Sequence, residues 1–232
     1  ALLDELHQDL DHHSTEVLNQ LSAEEQQQLH QGLMLYLRGL RHHHQQQGFT
    51  IRPLQIEDEA AIAQVIREVS AEHGLTAAKG YGVADPELDH LFPLYQGAGR
   101  AYWVITDPQG RILGGGGIAP LQGAKESVCE LQKMYFLPQL RGKGLGRRLI
   151  LQALTFARES GYQSCYLETT AVLERATHLY QQLGFRHLER PLGNTGHCGC
   201  EIRMSLDLGT TQTTPLPESC EPTCDTSCSC SR

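Results

Sequence analysis

Gln139-Leu140-Arg141-Gly142-Lys143-Gly144-Leu145-Gly146 follows directly on a strand-like run, Cys129 to Leu137, and Pro138. The order is strand, glycine turn, helix. Glycines at alternate positions remove Cβ atoms, so successive backbone N–H groups can converge on one point, and the helix that follows adds the positive end of its dipole. Such a turn suits a diphosphate. The spacing Gly142, Gly144, Gly146 with Arg148 beyond does not meet the dinucleotide fingerprint of an NAD-type fold. Lys143 is followed by Gly144, which leaves no hydroxyl for magnesium and excludes an ATP-binding P-loop.

The segment matches Gln/Arg-x-x-Gly-x-Gly/Ala, with Gln139, Gly142 and Gly144 in register, and in this the chain resembles the GNAT acetyltransferases. The resemblance runs from about Phe49 to Leu208, through Met134-Tyr135-Phe136-Leu137-Pro138, the signature and its helix. It continues through a strand Cys165 to Thr169 and Ala176-x-x-Leu179-Tyr180-x-x-Leu183-Gly184-Phe185. Glu130 to Pro138, with Pro191-Leu192-Gly193-x-Thr195-Gly196-His197, is similar to a bacterial branch, some members of which are fused to MarR-type regulators. The resemblance implies an α/β (α+β) fold: a mostly antiparallel sheet whose fourth and fifth strands splay apart to admit the cofactor, flanked by helices.

It also implies acetyl-CoA as donor. The backbone from Gln139 to Gly146, including Leu145, would hold the pyrophosphate, and Met134, Phe136 and Leu137 would pair with the pantetheine arm like an added strand. Lys133, Arg141, Lys143, Arg147 and Arg148 cluster around the turn. Basic residues at a helix start oppose its dipole, so cofactor contacts are expected for Arg141 and Lys143, with Arg147 beside them.

Acetyl transfer to an amine needs a neutral amine, a stabilised oxyanion and a proton for the departing thiolate. Tyr180 occupies the family's Leu-Tyr position, where a phenol can protonate sulfur; a core tyrosine is the other reading. Glu130 is the candidate base and shares strand parity with Gln132, Met134 and Phe136. A surface ion pair is its alternative, and Glu126 and Glu168 stand in reserve. Asn194 and His197, on a glycine-rich loop from Pro191 to Cys200, and Tyr95 are expected at the acceptor pocket.

The chain has 232 residues, 40% of them hydrophobic, and a formal charge of -8. Such a composition suits a soluble core and disfavours indiscriminate binding to nucleic acid. No apolar run approaches the roughly 18 residues of a membrane span, and a cytoplasmic location is the default expectation.

Three regions follow. Residues 1–48 form a helical segment, with a capping box at Ser22 and Glu25 and an apolar stripe at Leu29, Leu33, Tyr36, Leu37 and Leu40. Leu21-Ser22-Ala23-Glu24-Glu25 before a long helix is similar to the dimerisation helices of MarR-type regulators, whose DNA-reading winged helix is not in this chain. The segment reads either as a remnant that forms a homodimer or as a hairpin packed on its own domain. Residues 49–208 are the acetyltransferase unit. Within it Asp58 can cap a helix, and Gly114 to Gly117 reads as a bulged or closely approached strand. From 209 a Thr-, Pro- and Cys-rich tail lacks any apolar period and reads as disordered.

No metal site is expected. Consecutive histidines at 42–44 point in different directions on a helix, and the tail cysteines at 220, 224, 228 and 230 lack paired Cys-x-x-Cys spacing. The leading reading is an N-acetyltransferase acting on a small amine, an amino acid or a protein amino group by direct attack. The alternative is a non-catalytic module that senses acyl-CoA.

Overall fold

A computed structural model describes residues 17–209, except 77, 79, 80, 82, 84 and 196–198. The Cys-rich tail, His12, His13 and His197 therefore lie outside the described residues. Seven strands form one sheet: β1 (Thr50–Pro53), β2 (Ala101–Thr106), β3 (Ile112–Pro120), β4 (Val128–Phe136), β5 (Ser164–Thr169), β6 (Arg186–His187) and β7 (Ile202–Asp207). Their order is β1-β2-β3-β4-β5-β7-β6. Every neighbouring pair is antiparallel except β4 and β5.

That parallel pair is short. Only Val128, Cys129 and Glu130 meet Ser164, Cys165 and Tyr166. Beyond Glu130 the strands part, and β5 stays paired with β7 as far as Thr169. The edge of β4 from Leu131 to Phe136 that faces β5 is left open, which is the expected splay.

Among the described residues four longer helices flank the sheet, α1 (Ala23–Gln45), α2 (Glu59–Glu72), α3 (Leu145–Glu159) and α4 (Glu174–Gln182), with one short helical turn at Leu91–Leu94. In α3, Leu145, Leu149, Ile150, Ala153, Leu154 and Ala157 recur at helical spacing and are buried. Each large side chain among them contributes roughly 1.5–3 kcal/mol. Phe156 of α3 meets the edge of Trp103 at 5.5 Å between ring centroids, whereas a Cβ on Gly115, which faces the opposite way, would meet Ile62 of α2 at 3.0 Å. The two helices thus cover opposite faces.

The β2–β3 hairpin turns on Asp107, whose Oδ1 accepts the N–H groups of Gln109 (3.0 Å) and Arg111 (2.9 Å). Asp58 stands at the start of α2, but it does not cap the helix. Its carboxylate pairs with both arms of Arg52 at 2.5 and 2.9 Å and accepts the Gln55 N–H at 2.8 Å. β6 is only two residues long, and the Phe185 N–H just before it is committed to Tyr180 O, at 3.0 Å, where it closes α4.

At the N-terminal segment the expected capping box forms: Ser22 N–H reaches Glu25 Oε2 at 2.8 Å and Glu25 N–H reaches Ser22 Oγ at 3.3 Å. The stripe of α1 is not packed on the sheet domain. Leu29, Leu33, Tyr36, Leu37 and Leu40 are 38–64% exposed. The chain returns to the domain at Gln46, whose amide donates to Lys143 O at 3.0 Å.

Candidate active site

The four glycines 114–117 lie in β3, and a Cβ on Gly114, Gly115 or Gly117 would fall within 2.9 Å of a neighbouring ring or backbone oxygen. The close-approach reading is therefore correct. Opposite them β4 carries a bulge: Gly115 pairs with Tyr135 and Gly117 with Gln132, so two residues, Lys133 and Met134, stand against Gly116 alone. Lys133 takes the extra turn at φ +50, which no other non-glycine among the described residues adopts. Its carbonyl accepts the Tyr102 hydroxyl at 3.1 Å and its ammonium pairs with Asp85.

The bulge overturns one expectation. Paired residues share a face, and alternate residues of a strand share a face. Gly114 pairs with Phe136 and Gly117 with Gln132, and the two glycines are an odd number apart. Phe136 therefore projects from the face opposite Gln132 and Glu130. A sequence with uninterrupted parity would have put all three together. Tyr135 takes the place on Glu130's face.

A cleft of about 710 Å³ opens beside the free edge of β4. Its walls include Met134, Tyr135 and Phe136 of β4, Gly142, Gly144 and Gly146 of the turn, and Leu179 and Tyr180 of α4. Gly142 and Gly144 have φ of +75 and +74, in the left-handed region that favours glycine. A Cβ on Gly146 would stand 3.3 Å from the Phe136 ring. The first turn of α3 holds no acidic residue, while α1, α2 and α4 each place glutamate there. Its open N–H groups and dipole are thus left uncompensated by the protein. This cradle fits the diphosphate end of a nucleotide-bearing donor.

The basic residues divide. Arg147 lines the cleft and is exposed. Arg141 also lines it, yet its guanidinium is already bidentate to Glu72, at 2.5 and 2.6 Å, and its Nε–H donates to Phe136 O at 3.2 Å. It braces the turn between α2 and β4. Lys143 turns its ammonium over the Phe49 ring, 5.3 Å from the centroid, and does not line the cleft. The two side chains expected to contact the cofactor thus each have a partner within the protein. Gln139 is exposed, and Leu137 and Leu145 are buried, so the two leucines can serve the turn only through their backbone.

Tyr180 is buried on the cleft wall and packs edge-on to Phe185 at 5.8 Å. Burial first, then Tyr135 and Cys165, pushes its phenol well above the ordinary value, so it holds its proton at neutral pH. Glu130 is buried too. Gln132 Nε2 donates to Glu130 Oε2 at 2.5 Å, and the Tyr95 hydroxyl donates to Gln132 Oε1 at 2.9 Å. Burial, then the charges of Glu130 and Asp85, keeps the Tyr95 phenol protonated. Glu126 is exposed, away from this chain.

Across the split, Glu168 Oε1 accepts the Tyr166 hydroxyl at 2.6 Å and Oε2 accepts Thr195 Oγ1 at 2.5 Å. Asn194 is exposed, and its backbone N–H holds Gln122 O at 2.7 Å, so the loop after Pro191 is pinned to both β5 and the β3–β4 connection. Sequence reasoning missed Gln132 and Tyr166, and it expected any bulge on the glycine strand, whereas β4 carries the extra residue. Alternating polar residues on both splayed strands were the available signal for the first two, and a glycine run facing bulky β4 residues for the bulge.

A split sheet, an anion cradle and a buried tyrosine on one cleft define an N-acetyltransferase. Residues 68–185 match the acetyltransferase (GNAT) family, and the chain belongs to that family. Over 158 residues it is 57% identical to the uncharacterized N-acetyltransferase YjgM of Escherichia coli, a match covering 68% of this chain and 94% of that protein. It is 37% identical over 91 residues to the N-acetylaspartate synthetase of Xenopus tropicalis, covering 39% of this chain and 32% of that one. An acetyltransferase of the GNAT family from Staphylococcus aureus Mu50 has the same fold, with a TM-score of 0.61 at 17% identity over 69% of this chain and 99% of its own. So does yncA of Salmonella typhimurium, solved with its cofactor acetyl-CoA, with a TM-score of 0.55 at 20% identity over 74% and 99% of the two chains.

Proposed function

We propose that residues 49–208 form the catalytic unit and transfer an acetyl group from acetyl-CoA to a primary amine by direct attack. The observation that carries this reading is the convergence of the glycine turn, the open β4 edge and Tyr180 on one cleft. The donor supplies an activated acetyl group and a thiolate leaving group. The backbone from Gln139 to Gly146 and the N-terminus of α3 hold its diphosphate, with Arg147 adding positive charge. The open edge of β4 offers N–H and C=O groups to the extended arm. Tyr180 gives its phenolic proton to the departing sulfur. Glu130, held by Gln132, receives the proton that the acceptor ammonium must lose before attack. Tyr95 positions Gln132 and closes the acceptor side, where Asn194 and His197 contribute from the loop.

The partial likeness to N-acetylaspartate synthetase, an enzyme named for an amino-acid product, supports a small amine as acceptor. Thermal stabilisation by acetyl-CoA together with thiol release on a panel of amines tests the proposal. Stabilisation without release of thiol from any amine would replace it with the acyl-CoA sensor.

We also read α1 as the contact between two copies of this chain. Five large apolar side chains, each leaving on the order of 80 Å² in water, make a stripe of roughly 400 Å² that is exposed among the described residues. Glu24 and Glu25 lie at its start and Arg38 and Arg41 toward its end. An antiparallel pair sets opposite charges and opposite dipole ends beside each other.

A further inference from the structure

We infer that Arg203 is the receptor for a carboxylate carried by the acceptor, so that the chain acetylates free amino acids in preference to simple amines. The inference rests on the transferase reading above and names its substrate class. Arg203 is the second residue of β7 and pairs in register with Glu168; Tyr166, two residues before Glu168, pairs with Glu130. By the alternation of strands all four project from one face, that of the candidate base.

Three arginines have side chains 30% exposed: Arg52, Arg141 and Arg203. The first two are gripped by carboxylates in bidentate pairs, Arg52 by Asp58 at 2.5 and 2.9 Å and Arg141 by Glu72 at 2.5 and 2.6 Å. Arg203 is not. Its Nε is buried with no hydrogen-bond partner, and Nη1 reaches only Glu201 O, at 3.5 Å. The carboxylate beside it, Glu168, makes only a long ion pair, 3.9 Å from Nε, while its two oxygens accept the hydroxyls of Tyr166 and Thr195. A buried donor of a charged group left in this state is unfavourable unless something outside the chain completes it.

The missing partner must be an acceptor of hydrogen bonds and negative, and the planar fork of a guanidinium matches a carboxylate. Lys133, another cation on this side, is already paired with Asp85, and Arg186, which shares the face, lies one strand further from Glu130, on the edge strand β6. β4 and β7 are two strands apart, and Arg203 lies two residues along β7 from Ser205, which is level with Glu130, so Glu130 and Arg203 are separated by about 12 Å at the level of their Cα atoms. A zwitterion laid across β5 presents its ammonium to Glu130 and its carboxylate to Arg203. Thr195, held on Glu168, sets the neighbouring loop beside the second group.

The test compares a free amino acid, its carboxamide and the matching decarboxylated amine in thiol-release assays with acetyl-CoA, using the full chain and its Arg203→Gln and Arg203→Lys variants. Wild type should favour the amino acid by about tenfold or more in kcat/KM. Arg203→Gln should raise the KM for the amino acid by about tenfold with the KM for acetyl-CoA unchanged, and Arg203→Lys should restore part of the loss. Equal kcat/KM for the three acceptors in wild type, or an unaltered amino-acid KM in Arg203→Gln, overturns the inference while the transferase reading stands. Thiol release with none of the three removes that reading and the inference with it.

Discussion

Glu130 and Phe136 project from opposite faces of β4 although six positions separate them, because the bulge at Lys133 and Met134 shifts the alternation by one. The strand therefore serves two sites. Phe136 lines the cleft beside the glycine turn and Glu130 projects from the other face; under the proposed reaction these are the donor and acceptor sides. The bulge in turn depends on a β3 without side chains, which gives a first expected outcome. Gly114→Ala would place a Cβ 2.6 Å from a Phe136 ring carbon and 2.8 Å from Tyr135 O. Destabilisation of about 1–3 kcal/mol is expected in urea unfolding, with a raised KM for acetyl-CoA as Phe136 is displaced. An unchanged midpoint would show that the glycines are not needed for close approach.

Tyr180→Phe removes the phenolic proton and little else, since the ring keeps its contact with Phe185. A fall in kcat of about 10²-fold is expected, with the KM for acetyl-CoA close to wild type. Because burial holds the Tyr180 phenol above its ordinary value, its loss of a proton should not cause any falling limb in the wild-type rate profile below about pH 10. Wild-type turnover in the Tyr180→Phe protein would return Tyr180 to a packing role.

Glu130→Gln should slow the reaction at neutral pH by about 10²-fold. An alkyl amine with a pKa near 10.4 sheds its own proton as the solution becomes alkaline, so the deficit should narrow steadily between about pH 7 and pH 10. A deficit that stays constant with pH would mean that Glu130 positions the acceptor rather than taking its proton.

The Arg52–Asp58 pair ties β1 to the start of α2. Burial alone would raise the Asp58 carboxyl, but the hydrogen bonds from Arg52 and Gln55, with the charge of Arg52, outweigh it and hold the group below its ordinary value. A lowered folded pKa stabilises above the unfolded value, near 3.9, and is lost as pH falls through the folded one. Asp58→Asn should therefore lower stability by about 2 kcal/mol at pH 7, with the difference from wild type shrinking below about pH 4. Parallel stability curves down to pH 2 would contradict the assignment.

Leu33→Glu sets a charge in the middle of the α1 stripe. Sedimentation should find wild type as a dimer and the variant as a monomer, with thiol release per chain retained because α1 lies outside the catalytic unit. A wild-type monomer at micromolar concentration would remove the second copy as the occupant of that face.

Much of this arrangement was legible in local sequence because it rests on local rules. Alternate glycines before an amphipathic run mark an anion cradle wherever they occur, and the spacing from Leu145 to Ala157 names the buried face of α3 without reference to the rest of the chain. What was not legible depends on partners distant in the chain. Nothing near Arg141 indicates Glu72 as its ion-pair partner, and nothing near Lys143 indicates the ring of Phe49. The bulge is of the same kind: Lys133 is an ordinary strand residue in isolation, and its left-handed backbone is set by how β4 must pass four glycines and a tyrosine hydroxyl. Loop Pro191 to Cys200 could be recognised as glycine-rich and polar, but its fastening to Glu168 and Gln122 could not.

The parallel seam between β4 and β5 closes over three residue pairs and then stops. It works as the pivot of a wedge: any tilt introduced there is magnified along the two diverging strands by the time they reach the cleft. Cys129 and Cys165 sit at the pivot, fully buried and facing each other in register. Their bulk sets how far the wedge opens. A change of a single methylene at either one should therefore be felt as a change in affinity for the donor, at a place where no ligand atom ever arrives.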